Sequence, residues 1–236
     1  MFDYISSTTG LTYVLTIPKT YQQIVDDLKN NKTDFAYLGG YTFTLSHING
    51  LTQPLVMRDI DLEFTSSLIV HAKSTATKIT DLDQKSFAFG SKLSTSGHLM
   101  PRYYLQEKGI IPEKFFSSIK YSGAHDKTAF MVRDRVVSAG IMNSQVLKKM
   151  LTDGRLTKQD IKILWQTPPH PNYVWAVSSR VSDTIKNKLK KAMLQLVYSN
   201  PEHKIILDGL SARAFFPASP QDFSILRSII NDSQKN

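Results

Sequence analysis

Three consecutive hydroxyl side chains, Ser94, Thr95 and Ser96, stand between an apolar run at 86–90 (SFAFG) and a stretch of helical character reaching about Lys108. A hydroxyl donates one hydrogen bond and accepts through two lone pairs. At the start of a helix it joins backbone N–H groups that lack partners within the helix and carry about half a positive charge. Anions, phosphate above all, collect at such ends. Gly97 follows and lets the backbone approach whatever sits there. This combination recognises negatively charged oxygens without a glycine-rich nucleotide loop. The same residues have a plainer use, since Ser94 or Thr95 can simply cap a helix.

A second candidate lies downstream, where Ser122-Gly123-Ala124-His125-Asp126 precedes an amphipathic stretch carrying Thr128, Ala129, Phe130 and Val132. Asp126 is expected to cap that helix, leaving His125 at its entrance with a ring N–H to offer an anion. The alternative is a histidine bonded to backbone in the core or on the surface. Tyr37, Tyr41, Tyr173 and Trp175 fall at the ends of strand-like runs, where they either line a cleft or fill a core.

Enzyme chemistry finds little to work with. No Gly-x-Ser-x-Gly elbow, His-Glu-x-x-His helix or Gly-x-x-x-x-Gly-Lys-Ser/Thr loop occurs. Ser96 and His98 are too close in sequence to define a nucleophile and base without a third partner. The six histidines, at 47, 71, 98, 125, 170 and 203, have no metal-ligand spacing, and cysteine is absent. No catalytic residue, metal or cofactor is expected.

A net charge of +9 favours anionic partners. The run 186–191 (KNKLKK) backs onto Leu189, Ala192, Met193 and Leu196, so it reads as a solvated helix face, and no nucleic-acid partner is expected. With 41% hydrophobic and 21% charged residues over 236 positions, the chain can build a core of its own. The uncharged stretch 35–57 is interrupted by Gly39, Gly40, Asn49, Gly50 and Pro54, which argues against a membrane span. No basic segment followed by an apolar run opens the chain. The expectation is therefore a cytoplasmic protein, or one whose export signal lies upstream.

Positioning these side chains requires alternating strands and helices. Strands are expected at 11–17, 34–38, 67–72, 86–90, 120–122, 138–142, 161–166 and 174–178. Helices are expected at 21–30, from 94 to about 108, at 126–133 and at 182–198. That order implies an α/β fold with mostly parallel sheets. The runs at 67–72 and 174–178 bracket a βαβα series of their own. They are expected to be crossover hinge strands between a discontinuous first lobe, 1–71 with 178–236, and a second lobe, 72–177. A ligand cleft between the lobes follows from that layout.

Asp34-Phe35-Ala36-Tyr37-Leu38-Gly39, the run 87–98 with its Ser-Thr-Ser-Gly core, and Ser122-Gly123-Ala124-His125-Asp126 resemble successive signatures of one family. It comprises the substrate-binding proteins of phosphate, phosphite and phosphonate ABC transporters. Pro168-Pro169-His170-Pro171-Asn172-Tyr173 is similar to its proline-bounded cleft segment. The resemblance implies a two-lobed, type II periplasmic binding protein that closes over a phosphorus oxyanion and passes it to a membrane permease. It implies that Ser94, Thr95 and Ser96 bind the oxygens and that His125 donates from the same lobe. Tyr37 and Leu38 stand where the family places an aromatic or aromatic–aliphatic pair on the facing lobe. Phe64 stands where a ligand-binding tyrosine is often found. Gln145 and Tyr173 replace the carboxylates of members that bind aminoethylphosphonate, so that ligand is expected to be disfavoured. The same fold also serves sensory modules of signalling systems, which is the alternative reading. Family members begin with a strand ahead of the helix that ends near Gly10 here. Its absence implies a fragment, a misannotated start or a rearranged first lobe, with lower stability or a swapped dimer.

Overall fold

The computed structural model describes residues 1–233. The chain divides into two compact units, Met1–Leu62 with Pro171–Asn236, and Glu63–His170. Its first pass through unit one forms α1 (Phe2–Thr9), α2 (Tyr21–Lys29), β1 (Phe35–Gly39), α3 (Gly40–Ile48) and β2 (Thr52–Arg58). Unit two follows with β3 (Ser66–His71), β4 (Ser86–Phe89), a π-type turn over Thr95–Leu99, α4 (Met100–Glu107), α5 (Pro112–Phe115), β5 (Ser118–Tyr121), α6 (His125–Arg133), β6 (Ala139–Asn143), α7 (Ser144–Thr152) and β7 (Ile161–Gln166). The return to unit one forms β8 (Tyr173–Ser178), α8 (Asp183–Leu194), α9 (Pro201–Gly209), β9 (Phe215–Pro217) and α10 (Ser224–Ser233).

The chain thus passes between units at 62–63 and 170–171, outside the strands expected to carry the crossings. β3 pairs only within the sheet of unit two, and β8 only within that of unit one. A strand hydrogen-bonded on both sides is held by its own sheet, which leaves the short segments before β3 and β8 to make the passage.

In unit one the sheet order is β1-β8-β2-β9, antiparallel throughout. β1 alternates: Ala36 and Leu38 are buried on one face, while Phe35 and Tyr37 stand on the other, opposite Val177 and Trp175 of β8. Thr20 caps α2 by accepting the Gln23 N–H at 3.1 Å. The run 11–17, expected as a strand, forms no regular element. Val14 is 91% and Ile17 83% exposed. Its residues favour strands, but propensity without a neighbouring strand to complete a ladder makes no sheet.

Unit two holds a sheet in the order β5-β4-β6-β3-β7. β4 runs parallel to β5 and β6, and β3 runs antiparallel to β6 and β7. Sheets are therefore not mostly parallel. Among the described residues, parallel pairs occur only where helices α4 with α5, and then α6, carry the chain back for the next strand. One face packs Leu68, Val70, Phe87, Phe89 and Leu105, and the other packs Ile69, Ala88, Ala129 and Val132 under α6. Gly140 on β6 permits that second contact, because a Cβ there would lie 2.7 Å from Thr128 Cγ2. Among the described residues, no helix is long and apolar enough to cross a membrane.

Candidate functional site

In unit two, β4 ends at Phe89 and a loop leads into the π-type turn that opens α4. Ser94, Thr95 and Ser96 are all buried there, each no more than 2% exposed. The two readings of the hydroxyl trio divide between its members. Ser94 is the cap, its Oγ accepting the Gly97 N–H at 2.9 Å while its carbonyl accepts the Leu99 N–H at 3.0 Å. Thr95 and Ser96 then occupy the first positions of the turn, at the electropositive end of the helix it opens. Gly90 N–H donates to the Gly97 carbonyl at 2.7 Å and ties the turn to the end of β4.

His125 opens α6, with Ala124 as the cap residue, not Asp126 as expected. The shift by two positions places the imidazole within the first turn. Its Nδ1 accepts the Asn143 N–H at 3.3 Å, so the ring proton resides on Nε2. That Nε2 is shielded from solvent and has no partner. A Cβ on Gly97 would stand 2.9 Å from Ser94 Oγ and 3.1 Å from His125 Cε1, so the ring packs directly on the hydroxyl turn. Burial holds the His125 imidazole down at about 4, so it is neutral at physiological pH and donates from Nε2 only. A buried donor left unpaired costs of the order of 1–3 kcal/mol, a cost that an oxygen bound at this position removes.

Unit two carries sixteen Lys and Arg against nine Asp and Glu, a net +7 of the chain's +9. Unit one carries thirteen against eleven. The positive field therefore centres on the unit that holds the donor turn. Among the described residues, no group of three or more His, Asp or Glu converges on a metal position.

In unit one, Tyr37 stacks on Tyr173 at 5.0 Å and on Trp175 at 4.7 Å between ring centroids. The Arg58 guanidinium lies 5.4 Å from the Tyr37 ring centre and 5.6 Å from that of Tyr173. Asp61 holds it through Nε and Nη2, at 3.0 and 2.6 Å, and the Leu210 carbonyl accepts from Nη1 at 2.6 Å. The Tyr37 hydroxyl is buried without a partner. Burial, reinforced by Asp61, raises its pKa far above the usual phenol value, so it remains a neutral donor.

Residue by residue, the structure gathers Ser94, Thr95, Ser96 and His125 in unit two, and Tyr37 with Tyr173 in unit one. Leu38 enters differently from Tyr37. As the neighbour of Tyr37 on a strand it points to the opposite face and is 1% exposed, which leaves only its backbone for a ligand. Phe64 belongs to unit two, not to the lobe of Tyr37. Its backbone pairs with His170, and its ring is 2% exposed. Gln145 is exposed in the first turn of α7, its N–H bonded to Asn143 Oδ1 at 2.8 Å. Sequence reasoning missed Asn143, which fixes the His125 tautomer through its N–H and caps α7 through its side chain. Its position at a strand end before a helix was the available signal. It also missed the Arg58–Asp61 pair, which has no motif in sequence.

A family model described as the periplasmic substrate-binding protein of a phosphonate ABC transporter matches residues 1–223. The chain belongs to that family. It is 28% identical over 222 residues to a probable phosphite-binding protein of an ABC transporter from Prochlorococcus marinus, covering 89% of this chain and 74% of the relative. The phosphonates-binding periplasmic protein of Escherichia coli is 27% identical over 218 residues, 89% of this chain and 63% of its own length. The crystal structure of the Prochlorococcus marinus protein PhnD1 with methylphosphonate superposes with a TM-score of 0.89 at 26% identity, covering 100% of this chain and 91% of that one. This phosphonate-binding family member thus has the type II periplasmic binding fold that its sequence resembles.

Proposed function

We propose that this phosphonate-binding family member captures a small phosphorus oxyanion such as phosphite, methylphosphonate or phosphate in the periplasm and delivers it to an ABC permease. No bond is broken. The ligand oxygens take N–H and hydroxyl hydrogen bonds from Thr95 and Ser96, and one from His125 Nε2. The buried, unpartnered Nε2 of His125 carries this reading, because its proton is fixed in place and packed against the hydroxyl turn. Charge-assisted bonds to an oxyanion are about twice as strong as neutral ones, which suits capture without chemistry. The phosphite-binding and methylphosphonate-bound relatives support the same ligand class.

Gln145 and Tyr173 offer an amide and a phenol, neither of which pairs an ammonium group as a carboxylate would. Aminoethylphosphonate is therefore disfavoured. Calorimetric titration with phosphate, phosphite, sulfate, methylphosphonate and aminoethylphosphonate tests the proposal. Expected is binding of at least one phosphorus oxyanion more tightly than sulfate, with aminoethylphosphonate weaker than methylphosphonate. At a thousand times its dissociation constant the preferred ligand should add about 4 kcal/mol of stability, readily seen as a thermal shift. No binding of any phosphorus oxyanion would overturn the reading, and tighter binding of aminoethylphosphonate than of methylphosphonate would overturn its selectivity.

A further inference from the structure

His98, two residues past the hydroxyl trio, sits in a network of its own. Arg102 Nε, which can only donate, lies 3.1 Å from His98 Nε2, so Nε2 is an acceptor and the ring proton sits on Nδ1. Nδ1–H then donates to the Lys92 carbonyl at 2.8 Å, spanning the loop that contains Ser94, Thr95 and Ser96. Arg102 is itself anchored, donating from Nη2 to Glu113 Oε1 at 2.6 Å and to the Tyr121 hydroxyl at 3.2 Å, with its guanidinium over the Phe89 ring. The imidazole meets the Phe89 and Tyr121 rings edge-on. Elements β4, α4, α5 and β5 thus converge on one ring whose outward bond closes the donor loop.

We propose that His98 is a positioning residue for oxyanion binding: oriented by Arg102, it clips residues 92–98 into the turn that aims the Thr95 and Ser96 donors. The role rests on reading that turn as the oxyanion site. His98 touches no ligand. The groups that face it are Lys92 from the loop, Arg102 from α4, Glu113 from α5 and Tyr121 from β5. Burial holds its imidazole down at about 4, with Arg102 and Lys92 opposing a second charge, so the clip is uncharged and closed at neutral pH. Direct loop bonds such as Ser94 Oγ to Gly97 N–H shape the turn from inside, whereas His98 ties its outer end to the core.

The test compares His98→Ala, which removes the clip, with His98→Asn, whose side-chain amide reproduces the Nδ1–H donor without the rest of the ring. In the ligand-free protein at pH 7, amide hydrogen exchange at Gly90, Gly97 and Leu99 reports closure of the turn. Their protecting bonds are the Gly97 carbonyl, Ser94 Oγ and the Ser94 carbonyl. Expected is exchange at least tenfold faster in His98→Ala, with protection and methylphosphonate affinity recovered largely in His98→Asn. Nitrogen NMR of the wild-type imidazole should show the proton on Nδ1, and Arg102→Gln should release that preference. Unchanged exchange in His98→Ala, or an Asn variant as open as the Ala variant, would overturn the proposal. If the wild type binds no oxyanion, the functional reading fails, while the exchange data still decide the clip.

Discussion

Ser94 and His125 both border Gly97, yet substitution should reach different observables. Ser94 Oγ accepts the Gly97 N–H, so Ser94→Ala removes a helix cap and should cost about 1 kcal/mol of stability, read as a lower denaturant midpoint. The His125 ring makes one bond for the fold, Nδ1 accepting the Asn143 N–H, while its Nε2–H bonds nothing. His125→Leu removes one unpaired donor and orphans another, the Asn143 N–H, so ligand-free stability should stay close to wild type while methylphosphonate binding weakens by roughly 1.5–3 kcal/mol, the loss of one hydrogen bond to a charged group. A large loss of stability in His125→Leu would mean the ring is structural. Titration adds a second residue-scale expectation. Burial holds His98, His125 and His170 each at about 4, against an ordinary value near 6.5. Between these values the unfolded chain binds protons that the folded chain refuses. Stability is therefore complete above about pH 6.5 and falls as the pH drops toward 4, by up to roughly 1.4 kcal/mol per pH unit for each ring. Urea midpoints across pH 4 to 7.5 check this, and a flat profile would contradict it.

Elements set how well the two donor groups meet. Helix α6 carries His125, and its height above the sheet is fixed by Gly140, where an added Cβ would lie 2.7 Å from Thr128 Cγ2 and 3.1 Å from Val132 Cγ2. Gly140→Ala should push α6 outward, costing about 1–3 kcal/mol of stability and weakening methylphosphonate binding at the same time. Stability lost with affinity intact would show that α6 can rise without moving the ring. The sequence made the hydroxyl turn and the entrance of α6 legible because a cap, a small residue and an apolar strand are local signals. It misplaced the α6 cap because Asp126 is a good cap by type, whereas the bond from Asn143, 18 residues away in sequence, draws His125 into the first turn. It read 11–17 as a strand from residue type alone, and a strand exists only where another offers its edge. The tandem of Tyr37 and Leu38 splits between two faces, since adjacent strand residues point opposite ways, and only the Leu38 backbone stays on offer. Arg58 was invisible because nothing but the fold brings it against the two tyrosine rings.

At the scale of the whole molecule the positive charge is uneven, +7 on the unit that holds the donor turn and +2 on the other. Both units are of similar size, so the asymmetry concerns where a long-range field originates. Such a field acts on diffusion, raising the local concentration of an anion before any bond forms, and salt screens it over about 8–10 Å at physiological strength. Bonds made within the buried turn are shielded from that screening. The rate of methylphosphonate association should therefore fall as salt rises, with the dissociation rate nearly constant, as measured by stopped-flow fluorescence of Trp165 and Trp175. Removing charge from exposed positions separates field from fold. Lys148→Gln with Lys149→Gln on α7 of unit two should lower the association rate and its salt dependence. Lys188→Gln with Lys191→Gln on α8 of unit one should change both less, because that unit is close to neutral. Equal effects from the two pairs would mean that only the total charge matters. An effect confined to dissociation would mean that the basic surface acts by contact and not by steering.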